Sequence, residues 1–349
     1  MKTIVLSAPG RLDVGEADAP GPGPGQVLVQ VGQVGICGSD MHIYREGEIG
    51  GIRAPCPWTL GHECMGTVTE AGEGANQGLV GRRVAVEPHL PCGHCAACRD
   101  GLVNACLNDS FLGLPPTPGA LTEYVALAET QVEPIPDHVS DEEGVLLEPL
   151  AIALHAINLV KPSTGDTVAI VGTGVLGSCV LVLLQQVFGI RPICVDLLPD
   201  RLERAKAFGA GAIITAEDGN PGATTEQIMK QTRGIGASRI FECAGKQETL
   251  AVSCDAAAPG AHVGIIGIPD GPHMTFPASS TRRRALTVRL VRRSLRTLAP
   301  CIEFMAQRRL AARDLVTHTF AASAATDAFE IVRDYRDGVL KAVIDMRQW

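Results

Sequence analysis

The sequence predicts an α/β protein in which a β-rich part precedes a doubly wound parallel sheet, and three observations lead to that class. The chain has 349 residues, beyond the size at which a single hydrophobic core usually stops growing, so two domains are expected, each with a sizeable core. Residues 26–150 consist of short β-type runs, such as VLVQV (27–31) and RVAVEP (83–88), separated by Gly and Pro clusters, which is strand-and-turn patterning. From about 155 to 290 the pattern changes to apolar strand, glycine turn, helix and strand, the alternation of a parallel sheet with crossover helices.

Taken in order, TVAIV (167–171) opens the sheet, residues 172–177 form its glycine turn, a helix follows to about 188, and ICVD (193–196) is the next strand. RIFECAG (239–245) and HVGIIG (262–267) are short apolar segments ending in glycine, as buried parallel strands do, and they extend the same sheet. After 291, helical patches such as CIEFMAQRRLAA (301–312) mix with KAVIDM (341–346). That mixture suits either a third unit or a return to the first domain. There is no internal repeat and no long linker.

Composition narrows the function classes. Hydrophobic residues make up 46% and charged residues 19%, with a mean hydropathy of +0.16, the balance of a compact globular protein rather than a disordered one. A formal net charge of −8 argues against a general attraction to nucleic acid or anionic membranes and favours small-molecule partners. The N-terminal apolar run is broken by Pro9 and Gly10, so no signal peptide is expected. No uninterrupted apolar stretch reaches the roughly 20 residues a membrane span needs. The expected location is cytoplasmic. Of 12 cysteines, four fall in one fifteen-residue window, and in a long chain without an export signal metal thiolates are the better reading than disulfides.

Gly172-Thr173-Gly174-Val175-Leu176-Gly177 follows TVAIV directly and opens a helical pattern. The three glycines allow a tight turn, close approach of backbone to a pyrophosphate and close packing of helix on strand, while N–H groups at the helix start meet the phosphates. Asp196 ends the next strand, nineteen residues beyond Gly177, where a carboxylate bonds the ribose hydroxyls of a dinucleotide. An acid there repels the 2′-phosphate of NADP, so NAD is preferred. Arg201 and Arg204 nearby keep NADP in play.

Cys92, Cys95, Cys98 and Cys106 form C-x2-C-x2-C-x7-C. Four thiolates on a short turning loop close a tetrahedral zinc site with no open position, hence a structural one. Spacing alone also admits an iron–sulfur cluster, or His94 as a competing ligand. Cys179, Cys194 and Cys243 lie in apolar runs and are most simply core residues. Elsewhere, GICGSDMHIY carries Cys37, Ser39 and His42, TLGHECMG carries His62 and Glu63, and LLEPLAIALHAI carries Glu148 ahead of a helix. Cys, His and carboxylate are competent zinc ligands, and three of them plus an open position can bind an alcohol oxygen. Judged by spacing alone, His62 is as well explained as a satisfied core polar residue, and Glu148 before Pro149 as a helix start.

The motifs GICGSDMH, GHE, the four-cysteine loop, EPLAIALHA, GTGVLG and the terminal Asp196 follow one another as in the zinc-containing medium-chain alcohol dehydrogenases. Over nearly its whole length the chain resembles the polyol (sorbitol-type) and threonine dehydrogenase branches. The resemblance implies a GroES-like β-rich catalytic domain over 1–154, to which 291–349 returns, and a Rossmann NAD-binding domain over 155–290. It implies a catalytic zinc held by Cys37 and His62, with Glu63 a ligand in the polyol branch and Glu148 either a ligand or the holder of a metal-bound water. The four-cysteine loop then takes one structural zinc per chain. Ser39 and His42 match the family's proton relay. The coenzyme positions match at Leu176, Asp196, Arg201, Ile266, Gly267, Ile268, Val291, Arg292 and Arg293. The implied reaction moves a hydride from a secondary alcohol carbon to NAD, and the implied assembly is a homotetramer, with a dimer as the alternative.

The chain departs from the sorbitol-type pattern in having Ile43 and Ser294 where those enzymes have tyrosines, so sorbitol itself is in doubt and an altered pocket is expected. Arg292, Arg293 and Arg296 can clamp a carboxylate or phosphate if they face the cleft, although charge runs are usually solvated. Three rivals remain: an L-threonine 3-dehydrogenase, a non-catalytic NAD-binding structural protein that kept the fold, and a protein or nucleic-acid interaction module built on the Cys-rich loop, which the acidic balance and the loop's embedded position oppose.

Overall fold

A computed structural model of the chain describes residues 1–269, 271 and 273–349. The chain forms two compact units, one of Met1–Glu148, Leu298–Ala306 and Ala311–Trp349, the other of Pro149–Thr297 and Gln307–Leu310.

The first unit is organised by the strand Gln26–Gly35, whose ten residues are almost all buried. It pairs antiparallel with Glu63–Ala71, Tyr124–Ala128 and Lys341–Asp345. Arg83–Val86, Val132–Pro134 and Val316–Ala321 complete a sheet of seven strands among the described residues. Val27, Val29, Val31, Val34, Val84 and Val86 enter one apolar cluster with Leu60, Leu121 and Phe329. β-Branched side chains standing on a pleated surface account for that packing. The final strand reaches the sheet by pairing Val343 with Gly35 and Asp345 with Gln33.

The helix Asp141–Val160 carries Pro149 inside it, so Glu148 lies within a helix, not ahead of one as the sequence suggested. The start is set upstream by a capping box: Ser140 Oγ accepts the Glu143 N–H at 3.2 Å and Glu143 accepts the Ser140 N–H at 3.1 Å. Asp141, Glu142 and Glu143 complement the dipole of the first turn. Pro149 removes one intrahelical N–H, a local cost outweighed by burial of Leu146, Leu147, Leu150, Ala153 and Leu154. By length and composition this is the one described helix that passes as a membrane span, and 78% of that stretch is buried inside the protein.

In the second unit six described strands lie parallel in the spatial order Ala212–Thr215, Ile193–Asp196, Val168–Val171, Ala237–Glu242, Ala257–Ile265 and Thr287–Leu290. The first strand in sequence, Val168–Val171, is thus central, and the order reverses between it and Ala237–Glu242. That reversal is the switch point of a doubly wound fold, and the carboxyl ends of its strands are where such sheets bind ligands. Val168–Val171 is wholly buried, as a strand covered on both faces should be.

Candidate functional site

Cys37 precedes the helix Gly38–Glu46, and His62 and Glu63 stand at the start of the strand Glu63–Ala71. Ligand atoms of these three residues all lie within 4.8 Å of one another. Asp40 ties the two segments together: its Oδ2 accepts the Cys37 N–H at 3.0 Å and its Oδ1 accepts the Gly61 N–H at 3.1 Å. The same Oδ1 lies 3.4 Å from His62 Nδ1. A carboxylate on Nδ1 leaves Nε2 for a metal, the usual arrangement behind a ligating histidine. Ser39 Oγ sits 3.4 Å from His62 Nε2. His42, one helical turn on from Ser39, is half-buried.

Burial alone would raise the Cys37 thiol, but the charge and hydrogen bond of His62, helped by the Lys341 ammonium, bring it down to about 7. That poises it to become the thiolate, the ligating form. Glu63 is paired with Lys341 Nζ, which also donates to the Ile36 carbonyl at 3.0 Å. The three-residue group closes without Glu148. Glu148 is buried with its Oε2 unpartnered among the described residues, and burial pushes its carboxyl up to about 8, with Cys37 and Glu87 adding to the effect of desolvation and His62 opposing it. A thiol, an imidazole and a carboxylate converging beside an orphaned carboxylate oxygen fit zinc, with fewer protein ligands than a closed site requires.

Cys92, Cys95, Cys98 and Cys106 also bring their sulfurs within 4.8 Å of one another. Backbone N–H groups point at them: Cys92 N and Asn108 N to Cys106 Sγ at 3.3 and 3.4 Å, and Leu107 N to Cys95 Sγ at 3.5 Å. The Leu107 N–H is foremost in bringing the Cys95 thiol down to about 6. His94 is exposed and turns its Nδ1 to the Cys92 carbonyl at 2.7 Å, outside the four-sulfur group. Four thiols and no open position fit a structural zinc.

In the second unit, Gly172 adopts φ +95°, and a Cβ there would lie 3.0 Å from Ala244. A Cβ on Gly177 would lie 1.9 Å from the Gly172 carbonyl oxygen, so only glycine fits either place. Gly174 precedes the helix Val175–Gln186, whose first residues Val175 and Leu176 present N–H groups at a helix start. Asp196 Oδ2 accepts the Thr173 N–H (2.7 Å) and hydroxyl (3.0 Å), and Oδ1 accepts the Leu198 N–H (3.0 Å). Arg201 Nη1 stands 3.8 Å from Asp196. Ile266 and Gly267 follow the strand Ala257–Ile265, with Ile268 half-exposed beyond them. Val291 donates to the Ile265 carbonyl at 2.8 Å, Arg292 is exposed and Arg293 is half-buried. Ile43 is 1% exposed inside the apolar core, which gives no support to a pocket role for that position.

Sequence reasoning missed Asp40, Lys341, Phe111 and Thr173. Phe111 packs its ring 5.3 Å from that of His62. The available signals were Asp40 three residues after Cys37, and Lys341 opening the apolar run KAVIDM. Nothing in the sequence marked Phe111.

Residues 23–137 match the family model "Alcohol dehydrogenase GroES-like domain" and residues 175–307 match "Zinc-binding dehydrogenase". The chain is similar to a sorbitol dehydrogenase of Bacillus subtilis (strain 168), 33% identical over 99% of this chain and 97% of that protein. It is also similar to an L-idonate 5-dehydrogenase of Vitis vinifera, 33% identical over 89% of this chain and 86% of that one. Among solved structures, RspB of Escherichia coli CFT073, complexed with NADH, superposes with a TM-score of 0.90 at 29% identity, covering 99% of both chains.

Proposed function

Because the chain belongs to the zinc-containing medium-chain alcohol dehydrogenase family, in its polyol branch, we propose that it oxidises a secondary alcohol of a polyol, sugar or sugar acid with NAD. We assign Cys37, His62 and Glu63, with Glu148, to the catalytic zinc, and Cys92, Cys95, Cys98 and Cys106 to the structural one. The reading makes 1–154 with 291–349 the GroES-like catalytic domain and 155–290 the Rossmann NAD-binding domain. It rests above all on the thiol–imidazole–carboxylate group closed within 4.8 Å.

Bound zinc supplies the Lewis acidity that makes an alcohol hydroxyl acidic near neutral pH, and bound NAD supplies the hydride acceptor. Cys37 enters as thiolate. Asp40, on the Nδ1 side, orients the His62 ring so that Nε2 is the nitrogen turned to the metal. Ser39, 3.4 Å from that nitrogen, takes the proton leaving the substrate hydroxyl and passes it towards His42 and water. Glu148 offers a buried acceptor oxygen beside the group. In the coenzyme site, the N–H groups after Gly174 take the pyrophosphate and Asp196, held by Thr173, takes the adenosine ribose.

We read the assembly as a homotetramer before a dimer. Leu290, 73% exposed on the edge strand Thr287–Leu290, supports self-association of some order. Twelve free cysteines suit a cytoplasmic, reducing setting. The test is a zinc-loaded preparation assayed by NADH absorbance against polyols, sugar acids, sugar phosphates, threonine and simple secondary alcohols. Turnover on a polyol or sugar acid, abolished by Cys37→Ser, is expected. Silence across the panel with zinc and NAD both bound overturns the reading.

A further inference from the structure

Glu242 ends the strand Ala237–Glu242 and pairs with Val171, the residue immediately before the glycine turn. None of its surface is exposed. A carboxylate so placed is costly unless its oxygens are engaged. Oε1 accepts three donors: the N–H of Ala244 at 2.9 Å, the N–H of Gly245 at 2.8 Å and the Thr249 hydroxyl at 2.7 Å. Oε2 has no hydrogen-bond partner among the described residues. The main-chain carbonyl of Glu242 accepts the N–H groups of Ile266 at 2.8 Å and Gly267 at 3.2 Å. One residue therefore holds the two loops that follow the strands Ala237–Glu242 and Ala257–Ile265.

Those loops meet backbone to backbone. A Cβ on Gly245 would lie 2.2 Å from the Ile268 carbonyl oxygen, and one on Gly267 would lie 2.0 Å from the Gly245 nitrogen. The first loop also lies against the glycine turn, where a Cβ on Gly172 would come within 3.0 Å of Ala244. With glycine on one side of each of these approaches, a shift of Ala244 and Gly245 passes directly to Gly172 and to residues 266–268. In a doubly wound sheet each half binds one mononucleotide. Asp196 belongs to the adenosine half, and Glu242 to the other.

We infer that Glu242 is a positioning residue for the coenzyme: by accepting the Ala244 and Gly245 N–H groups it fixes the loops that wall the nicotinamide half of the cleft. The inference rests on the dinucleotide reading of this unit. What Glu242 supplies is an acceptor oxygen at Oε1, which glutamine also provides and leucine does not.

Wild type, Glu242→Leu, Glu242→Gln and Thr249→Val are titrated with NADH by fluorescence and with AMP, a probe of the adenosine half, by calorimetry. Glu242→Leu should weaken NADH by about tenfold or more and leave AMP within about twofold. Glu242→Gln should stay within about threefold of wild type for both ligands. Thr249→Val, which removes one of three donors, should weaken NADH by about threefold with AMP unchanged, and decides the matter if the leucine variant does not fold. Equal losses of NADH and AMP, or NADH affinity unmoved in the folded variants, overturns the inference. Wild-type protein that binds neither ligand overturns the dinucleotide reading with it.

Discussion

Lys341 is fully buried, and among the described residues its one ion-pair partner is Glu63. Removing one member of a buried ion pair leaves the other uncompensated, at a cost of about 3–5 kcal/mol, whereas replacing both is far milder. Lys341→Met should therefore lower the unfolding temperature more than Lys341→Met combined with Glu63→Gln does. Zinc should also raise the unfolding temperature of Lys341→Met more than that of wild type, because the metal replaces the lost positive charge beside Glu63. Differential scanning calorimetry of apo and zinc-loaded protein checks both, and a double variant no more stable than the single one sinks the argument. In the other unit, Asp196→Ala removes the carboxylate proposed to take the ribose and should weaken NADH by about tenfold to a hundredfold, the range for hydrogen bonds to a charged acceptor. Thr173→Val removes only the hydroxyl that holds Asp196 and should have a smaller effect in the same titration. Cys37, His62, Glu63 and Asp196 were legible because short motifs with fixed chemistry surround them. Lys341 was not, because its partner is 278 residues away and the strand that carries it reads as an ordinary apolar run.

At the scale of elements, the four-cysteine loop is closed by the short strands His89–Leu90 and Ser110–Phe111, which pair His89 with Phe111. The chain leaves that ladder through the residue whose ring lies against His62. Cys98→Ser should lower bound zinc from about two to about one per chain by elemental analysis, and should lower the unfolding temperature, since metal affinity is folding free energy for such a loop. Two zincs retained would refute the four-thiol assignment. The last strand makes a different prediction. Asp345 accepts Arg347 through its backbone N–H (3.0 Å), Nε (2.8 Å) and Nη2 (2.9 Å), and Gln348 Nε2 at 3.0 Å. Burial would raise its carboxyl, but the Arg347 and Gln348 bonds outweigh burial and hold it below the ordinary value. A depressed acid stabilises fully above its unfolded pKa, about 3.9, and loses that contribution as pH falls through its folded value. Asp345→Asn should thus be less stable than wild type near neutral pH, with the gap closing below about pH 4 in thermal scans. A gap that widens in acid contradicts this. The glycine turn at 172–177 was legible because three glycines at fixed spacing have a steric cause that the fold makes explicit. The long helix was misjudged because Pro149 looked like a beginning, while the capping residues that start it, Ser140 and Glu143, lie nine and six residues earlier.

Across the whole molecule, alternation of strand and helix was enough to foresee a parallel sheet, but the order of its strands is not written in periodicity. It follows from how crossovers pack, and it creates the switch point beside which Gly172 and Ala244 meet. The attachment of Lys341–Asp345 to Gln26–Gly35 is likewise not written in periodicity, since it joins the two ends of the chain; the family resemblance alone placed 291–349 with the first domain. The resulting division of labour can be tested. Both groups of side chains that could hold a metal, Cys37–His62–Glu63 and the four cysteines, lie within Met1–Glu148, whereas Gly172, Gly177, Asp196, Glu242 and Gly267 all lie within Pro149–Thr297. Each site is assembled from its own unit's residues, so its shape depends chiefly on its own unit's core. Chelation should then abolish turnover while leaving the NADH dissociation constant within about threefold, less than 1 kcal/mol. Zinc added back should restore turnover without tightening NADH further. Loss of NADH binding in parallel with zinc would mean that the metal-bearing unit shapes the coenzyme site, and the two sites would have to be treated as one.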